Sequence, residues 1–479
     1  MSCNNCSSCP VSSRRNVVII IIVLILLVLA SLLLPPSAPQ ETPPEKFLNI
    51  QEVTSDSGIS AWLVEDHSLP IIAMNYAFRG AGSKNDPSDK QGLARLVSNT
   101  MDEGTGDMDS QTFQKMLQDN SISLSFSAGR DHFNGVLKTL SQSKDMAFDM
   151  LHKALTKPRF DEEPLERMCK ANQSRIRSSL ANPNWLAARV HNDRLFDGHA
   201  YAMNSGGTIS SLEKITADDL RDFHKGLGKN QLVIGAVGDI TAEELKLRLD
   251  EVFGDMPVVE HKIPEKRPLQ NTGNTYLYKQ NIPQTIIKLS QSGISRQDED
   301  FYSAYLMNFI LGASGFGSRL MEEVREKRGL TYGIYSYFNQ YDEADLLSVS
   351  TSTANENVQE TLSLIREQWN KMSSEPVSEE ELKEAKAYVI GSLPLSLTST
   401  SSISGLLLSL QLDHLPVNYL DTRAEMINAV STQDIEAISK RLLDIDKITT
   451  IMVGNPPSLT ASAIGAYGVN EITKLPNVE

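Results

Sequence analysis

The sequence predicts an α+β protein of two duplicated domains, each a mainly antiparallel sheet with helices packed on one face, preceded by one N-terminal transmembrane helix. Three observations lead there. Strand-like stretches are interleaved with longer helical ones, the signature of mixed layers. Three segments recur in the same order at an offset of roughly 215 residues, which marks a duplication. An uncharged apolar run from Val17 to Leu34 follows Arg14-Arg15.

The apolar run approaches the ~20 residues that a bilayer-crossing helix needs, and Pro35-Pro36 ends it. Arginines before the run predict residues 1–15 in the cytoplasm and the rest outside it, on the periplasmic side of the inner membrane if the source is bacterial. A long secretory signal cleaved near Ser37-Ala38 is the alternative. Cys3, Cys6 and Cys9 precede the run; with neither a fourth ligand nor a histidine nearby they make a poor metal site. Cys169 stands alone beyond it, so the remainder of the chain has no intramolecular disulfide.

Beyond a Pro-rich linker at 35–46, alternation predicts strands at Ile59–Glu65 and Pro70–Phe78, then a turn through Arg79–Pro87. The stretch Gly92-Leu-Ala-Arg-Leu-Val-Ser-Asn-Thr-Met-Asp-Glu-Gly104 reads as an amphipathic helix. Leu93, Leu96, Val97 and Met101 fall on one face, and Gly104 stands where a C-terminal stop belongs. Helices are predicted over Phe113–Asn120, Asp145–Thr156 and Glu162–Leu180, and a strand over Ser121–Gly129. Leu232–Asp239 is a buried strand leading into a Thr241–Phe253 helix, with Thr241 and Glu244 spaced as an N-cap pair.

The duplication runs through these elements. Met74–Gly80 and the helix after it are echoed by Ile286–Gly293 and Phe301–Leu311. Asp219–Lys225 is echoed by Asp434–Lys440, and Leu232–Gly238 by Ile448–Gly454. The domains are therefore 47–256 and 275–460, joined by a proline-bearing linker at 257–274 and followed by a tail at 461–479.

At 479 residues, 40% hydrophobic and 22% charged, the chain has the composition of a globular protein. Its net charge is −15 and its pI about 5.1. Residues 1–45 contribute none of this, because Arg14 and Arg15 cancel Glu41 and Glu45. So acidic a body argues against nucleic-acid binding, which requires a basic face.

The Gly92–Gly104 stretch resembles the zinc-site helix of the M16 metallopeptidases (the pitrilysin, processing-peptidase and insulinase group), which carries His-x-x-Glu-His. Two histidines at i and i+4 share a helix face and can ligate one zinc, and the glutamate can take a proton from bound water. Here those three positions hold Arg95, Ser98 and Asn99. A guanidinium has no lone pair for a metal, an amide is a poor zinc ligand, and a serine hydroxyl is no general base near neutral pH. The resemblance places the third zinc ligand late in the Glu162–Leu180 helix, where the chain reads Gln173-Ser-Arg-Ile-Arg177. No two of the eight histidines lie at i, i+4.

The likeness spans about residues 47–455, including the Val-Gly-Asp239 end of the first domain. It is fullest over Phe316–Tyr335. In that segment M16 enzymes carry an arginine and a tyrosine, opposite the zinc, that hydrogen-bond substrate and stabilise the transition state. Arg325 and Tyr332 match them. Read without the family, they are a surface arginine and a strand-opening tyrosine. Gly312-Ala-Ser-Gly-Phe-Gly317 lies where noncatalytic processing-peptidase subunits keep a glycine-rich substrate loop, though it is shorter; Gly315 and Gly317 are candidate substrate contacts by that resemblance, and the residues alone read equally as a flexible turn between helices.

The resemblance thus implies the noncatalytic, substrate-binding subunit of a heterodimeric zinc endopeptidase. Such a chain binds no cofactor itself, pairs with a catalytic M16 subunit that carries His-x-x-Glu-His and zinc, and encloses peptide substrates. It touches the membrane through residues 17–34. The alternatives are a structural or peptide-holding relative with no role in proteolysis, and an atypical active peptidase.

Overall fold

A computed structural model describes residues 46–260, 264–465 and 468–475. The first sheet takes β1 (Gln51–Thr54), β2 (Ser60–Glu65), β3 (Ile71–Phe78), β6 (Ser123–Ala128), β7 (Phe133–Leu140) and β8 (Leu232–Gly238) in the order β1-β2-β8-β3-β7-β6; β4 (Gly104–Thr105) and β5 (Met108–Asp109) form a separate ribbon. The second takes β9 (Thr275–Lys279), β10 (Gln284–Ser292), β11 (Ile334–Gln340), β12 (Asp345–Ala354), β13 (Thr449–Gly454) and β14 (Val469–Ile472) in the order β11-β12-β10-β13-β9-β14. Read from the opposite edge, the second order repeats the first from β2 onward. β2 and β8 pair in parallel, as do their counterparts β9 and β13, and the pairings further along each sheet are antiparallel. The duplication read from the sequence is therefore present in the sheet topology.

Two expectations need correction. The membrane helix expected at 16–34 lies outside the described residues. Among the described residues no helix is long and apolar enough to cross a membrane. The longest, Glu162–Ser179 and Glu379–Ser396, begin with clustered glutamates, and charge of that kind is costly in hydrocarbon. The described residues form a mixed α/β chain of two sheet-centred halves, in which the expected membrane helix has no counterpart.

The second correction concerns the sheet faces. Helices were expected on one face of each sheet; they cover both. On the first sheet, Ile72, Met74, Tyr76 and Phe78 point into one core with Phe113, Leu151 and Leu249. The alternate residues Trp62, Val64 and Val237 point the other way, against Leu407, Leu410 and Leu420. The covering helix, Thr400–Leu412, comes from the second half of the chain. It is tied down by Asn75 Nδ2 donating to Ser404 Oγ at 2.5 Å and Gln411 Nε2 donating to the Ile234 carbonyl at 2.9 Å. Gly235 lets it approach: a Cβ there would lie 2.5 Å from the Ser404 carbonyl oxygen.

The exchange is reciprocal. The Pro183–Leu195 helix, from the first half, packs on β10 and β13. Leu186 and Ala187 bury against Ile286 and Val453, and His191 Nε2 meets Ser290 Oγ at 2.7 Å. Burial holds the His191 imidazole neutral, its pKa pushed down to about 4.

A charged cluster also ties the halves. Lys84 lies 3.2 Å from each of Asp131, Asp342 and Glu343. Tyr201 donates to Asp131 and accepts from the Glu343 amide, while His199 meets Glu343 at 2.8 Å. Burial alone would lower the Lys84 pKa, but the three carboxylates outweigh it and the net shift is upward.

Candidate functional site

The helix with the degenerate motif spans Leu93–Thr100, shorter than expected. Gly104 is not its stop. The chain turns at Met101, and Gly104 takes φ +114° at the start of the ribbon, a conformation that favours glycine. The N-terminus begins at Gly92, with φ +93°. The buried Asp86 carboxylate caps it, accepting from the Gly92 amide at 2.9 Å and the Ala94 amide at 3.0 Å. Leu93, Leu96 and Val97 face the core, as the spacing predicted.

The three motif positions have separate fates. Ser98 is buried, and its hydroxyl turns back to the Arg95 carbonyl at 2.9 Å. Asn99 is half-buried and accepts from Asn172 Nδ2 of the Glu162–Ser179 helix at 3.4 Å. Arg95 is half-buried, and its Nε is buried without a hydrogen-bond partner among the described residues. Asn172 in turn accepts from Arg175. The helix expected to bring a glutamate to this place thus brings an asparagine and an arginine, a substitution placed only to within a few residues by sequence. This donor set offers two guanidiniums, two amides and an internally satisfied hydroxyl, and does not fit a zinc ion. Among the described residues no three His, Cys, Asp or Glu side chains are grouped to hold a metal.

The Phe316–Tyr335 segment lies on the second half. Gly315 adopts φ +66° in a single helical turn, Gly315–Gly317, fastened by Ser318 Oγ donating to the Gly315 carbonyl at 2.8 Å. The turn projects Phe316, 70% exposed, so that the Arg325 guanidinium carbon sits 4.5 Å from the ring centroid. Arg325 lies in a widened π-helical turn, Met321–Glu326, and pairs with Glu326 at 2.5 Å. Such turns are frequent at functional sites.

Tyr332 is 86% exposed, an unusual position for a large ring. Its backbone is held from both sides. Thr331 Oγ1 donates to the Ser352 carbonyl at 2.8 Å and accepts from the Gly333 amide at 3.1 Å. A fixed backbone presenting a free phenol suits contact with another molecule better than packing within the chain.

Sequence reasoning singled out Gly315, Gly317, Arg325 and Tyr332 but passed over three supports. Phe316, between two of the glycines, supplies the surface on which Arg325 lies. Arg319 makes a two-pronged ion pair with Glu381, at 2.9 and 3.0 Å, that fixes the segment to the Glu379–Ser396 helix. Thr331 anchors Tyr332. A lone aromatic in a glycine turn was a readable signal; the Arg319–Glu381 pair, distant in sequence, was not.

Two family models match the chain: "Insulinase (Peptidase family M16)" over residues 78–202 and "Peptidase M16 inactive domain" over residues 214–389. The chain is 27% identical over 393 residues to a Helicobacter pylori protein named "Non-peptidase homolog YmxG", covering 82% of this chain and 90% of the relative. It is 23% identical over 351 residues to the mitochondrial-processing peptidase subunit beta of Saccharomyces cerevisiae, covering 68% and 74%. Among solved structures, a peptidase M16 inactive domain from Pseudomonas fluorescens superposes with a TM-score of 0.78 at 27% identity, over 86% of this chain and all 100% of that one. A Helicobacter pylori protease of 16% identity, with a TM-score of 0.76 over 85% and 99% of the two chains, shares the fold.

Proposed function

The chain belongs to the M16 peptidase family, and from that premise we propose that it is a noncatalytic subunit, which binds peptide and supplies Arg325 and Tyr332 to the zinc site of a catalytic M16 partner. The observation that carries the reading is a contrast between two sites. Where the family's metal chemistry would lie, Arg95, Ser98 and Asn99 offer no ligand set. Where substrate contacts would lie, Tyr332 is presented to solvent on a pinned backbone and Arg325 is laid on Phe316.

In this reading the catalytic metal belongs to the partner. This chain's residues bind and orient. The Arg325 guanidinium and the Tyr332 hydroxyl are both donors, suited to a peptide carbonyl oxygen that gains negative charge. Phe316 keeps the guanidinium from sweeping freely, and Gly315 and Gly317 leave room for an extended peptide backbone beside it. The name of one relative, a non-peptidase homologue, supports a role without independent catalysis.

The test is reconstitution. The full chain would be mixed with a His-x-x-Glu-His-bearing M16 protein from the same organism and assayed on quenched peptides. Zinc-dependent cleavage by the mixture, exceeding that of either protein alone and lost in Arg325→Ala, is expected. A stable complex whose cleavage is indifferent to Arg325 and Tyr332 would leave a structural role instead.

A further inference from the structure

The place where the family's zinc motif would stand carries an unanswered positive charge. Arg95 and Arg175 come from two helices packed together, Leu93–Thr100 and Glu162–Ser179. Among the described residues neither has a carboxylate within ion-pair distance. Three acids on these segments are committed elsewhere: Glu103 pairs with Arg167 at 2.7 Å, Glu163 with Arg167 at 3.4 Å, and Glu166 with Lys170 at 2.5 Å. Arg175 is exposed and leans on Asn172, which is 3% exposed and bonded onward to Asn99. Arg95 Nε is buried and unpartnered.

This arrangement costs free energy. A buried donor without an acceptor loses its hydration for nothing, and two like charges repel. Burial, then the neighbouring charge of Arg175, holds the Arg95 guanidinium below its ordinary pKa range. A carboxylate placed against both would remove both penalties, because guanidinium–carboxylate bonds are the strong, charge-assisted kind.

We propose that Arg95 and Arg175, beside the Asn99–Asn172 pair, form a carboxylate-binding subsite that takes the C-terminal carboxylate or an acidic side chain of a peptide; the peptide part rests on the peptide-holding reading above. The degenerate motif is then a converted site. Its substitutions replace a metal-ligating face with an anion-receiving one, and Ser98, folded back on its own helix, takes no part.

The full chain would be titrated by fluorescence anisotropy with one short neutral peptide in three forms: free C-terminal carboxylate, C-terminal amide, and amide with one internal glutamate. N-acetylglycine, a carboxylate with almost no peptide attached, is the second probe, followed by calorimetry. At least one acid form should bind about tenfold tighter than the neutral amide, as expected for a guanidinium–carboxylate contact. Which acid form does so identifies the source of the carboxylate. Arg95→Gln and Arg175→Gln should each abolish the preference. Equal affinity for all three forms, or a preference that survives both substitutions, overturns the subsite and leaves peptide holding intact. Saturable N-acetylglycine binding that Arg95→Gln removes, with no peptide bound in any form, supports the subsite and sinks the peptide reading. No saturable binding of any probe overturns both.

Discussion

Gly235→Ala should loosen the contact by which the second half of the chain covers the first sheet. The added Cβ would lie 2.5 Å from the Ser404 carbonyl oxygen, 2.8 Å from Leu407 Cβ and 2.9 Å from the Leu408 amide nitrogen. None of these is the end of a flexible side chain, so the Thr400–Leu412 helix must recede. Unstrained carbon contacts need about 3.5 Å, so the retreat is roughly 0.5–1 Å, which forfeits a quarter to a half of each dispersion contact along the seam. Overpacking of this kind costs about 1–3 kcal/mol, and a backbone obstacle argues for the upper end. The Leu48–Glu479 unit has roughly 430 residues; at about 2.1 cal/mol/K per residue, 3 kcal/mol lowers Tm by about 3 °C. Gly391→Ala is the control, since nothing lies within 4 Å of a Cβ in that helix interior. It should be neutral or raise Tm by about 1 °C. Differential scanning calorimetry of both variants decides. A Gly235→Ala protein as stable as Gly391→Ala would refute the close crossing of helix over sheet.

Three further outcomes are expected. In a reconstituted complex, Tyr332→Phe and Arg325→Ala should lower kcat more than they raise KM, by roughly 10²–10³ for a lost transition-state donor; unchanged kcat in an intact assembly would remove the assisting role. After dialysis against zinc, metal analysis should find far less than one zinc per chain, because Arg95, Ser98 and Asn99 cannot ligate it; close to one per chain would contradict the donor argument. Lys84→Met should destabilise the fold by about 3–5 kcal/mol near neutral pH, since it removes the cation that Asp131, Asp342 and Glu343 share. The raised Lys84 pKa means that its stabilisation is complete below its ordinary value of 10.5 and is lost as pH rises through the folded value. Glu343 is the converse. Burial raises its pKa, but bonds from His199 and Lys84 bring the net value below 4.5, so its contribution is present above 4.5 and lost in acid. Denaturant titrations should therefore show the gap between wild type and Lys84→Met narrowing below about pH 4; a constant gap from pH 3 to 8 would count against the cluster.

By itself the sequence determined several local elements, most of them in the first half, and the echo between the halves. The alternating Ile72, Met74, Tyr76 and Phe78, the continuous apolar run of β8 and the Thr241 cap, whose side chain accepts from Glu244 N, are signals carried by neighbours in the chain. So is the chemistry missing at Arg95, Ser98 and Asn99, since a guanidinium has no lone pair to give a metal and a neutral hydroxyl or amide is a poor zinc ligand wherever it is placed. Tertiary structure alone decided what covers the far faces of the sheets. The Thr400–Leu412 helix carries no charged residue and little amphipathic pattern, because it lies between a sheet and other helices, and such a helix names no partner. The residues facing Arg95 were also decided there. Asn172 and Arg175 reach it only because two helices far apart in the chain pack side by side, and sequence spacing fixes no rotation of one helix about another. Both sites depend on which side chains long-range packing leaves exposed or unpaired, and no local pattern records that.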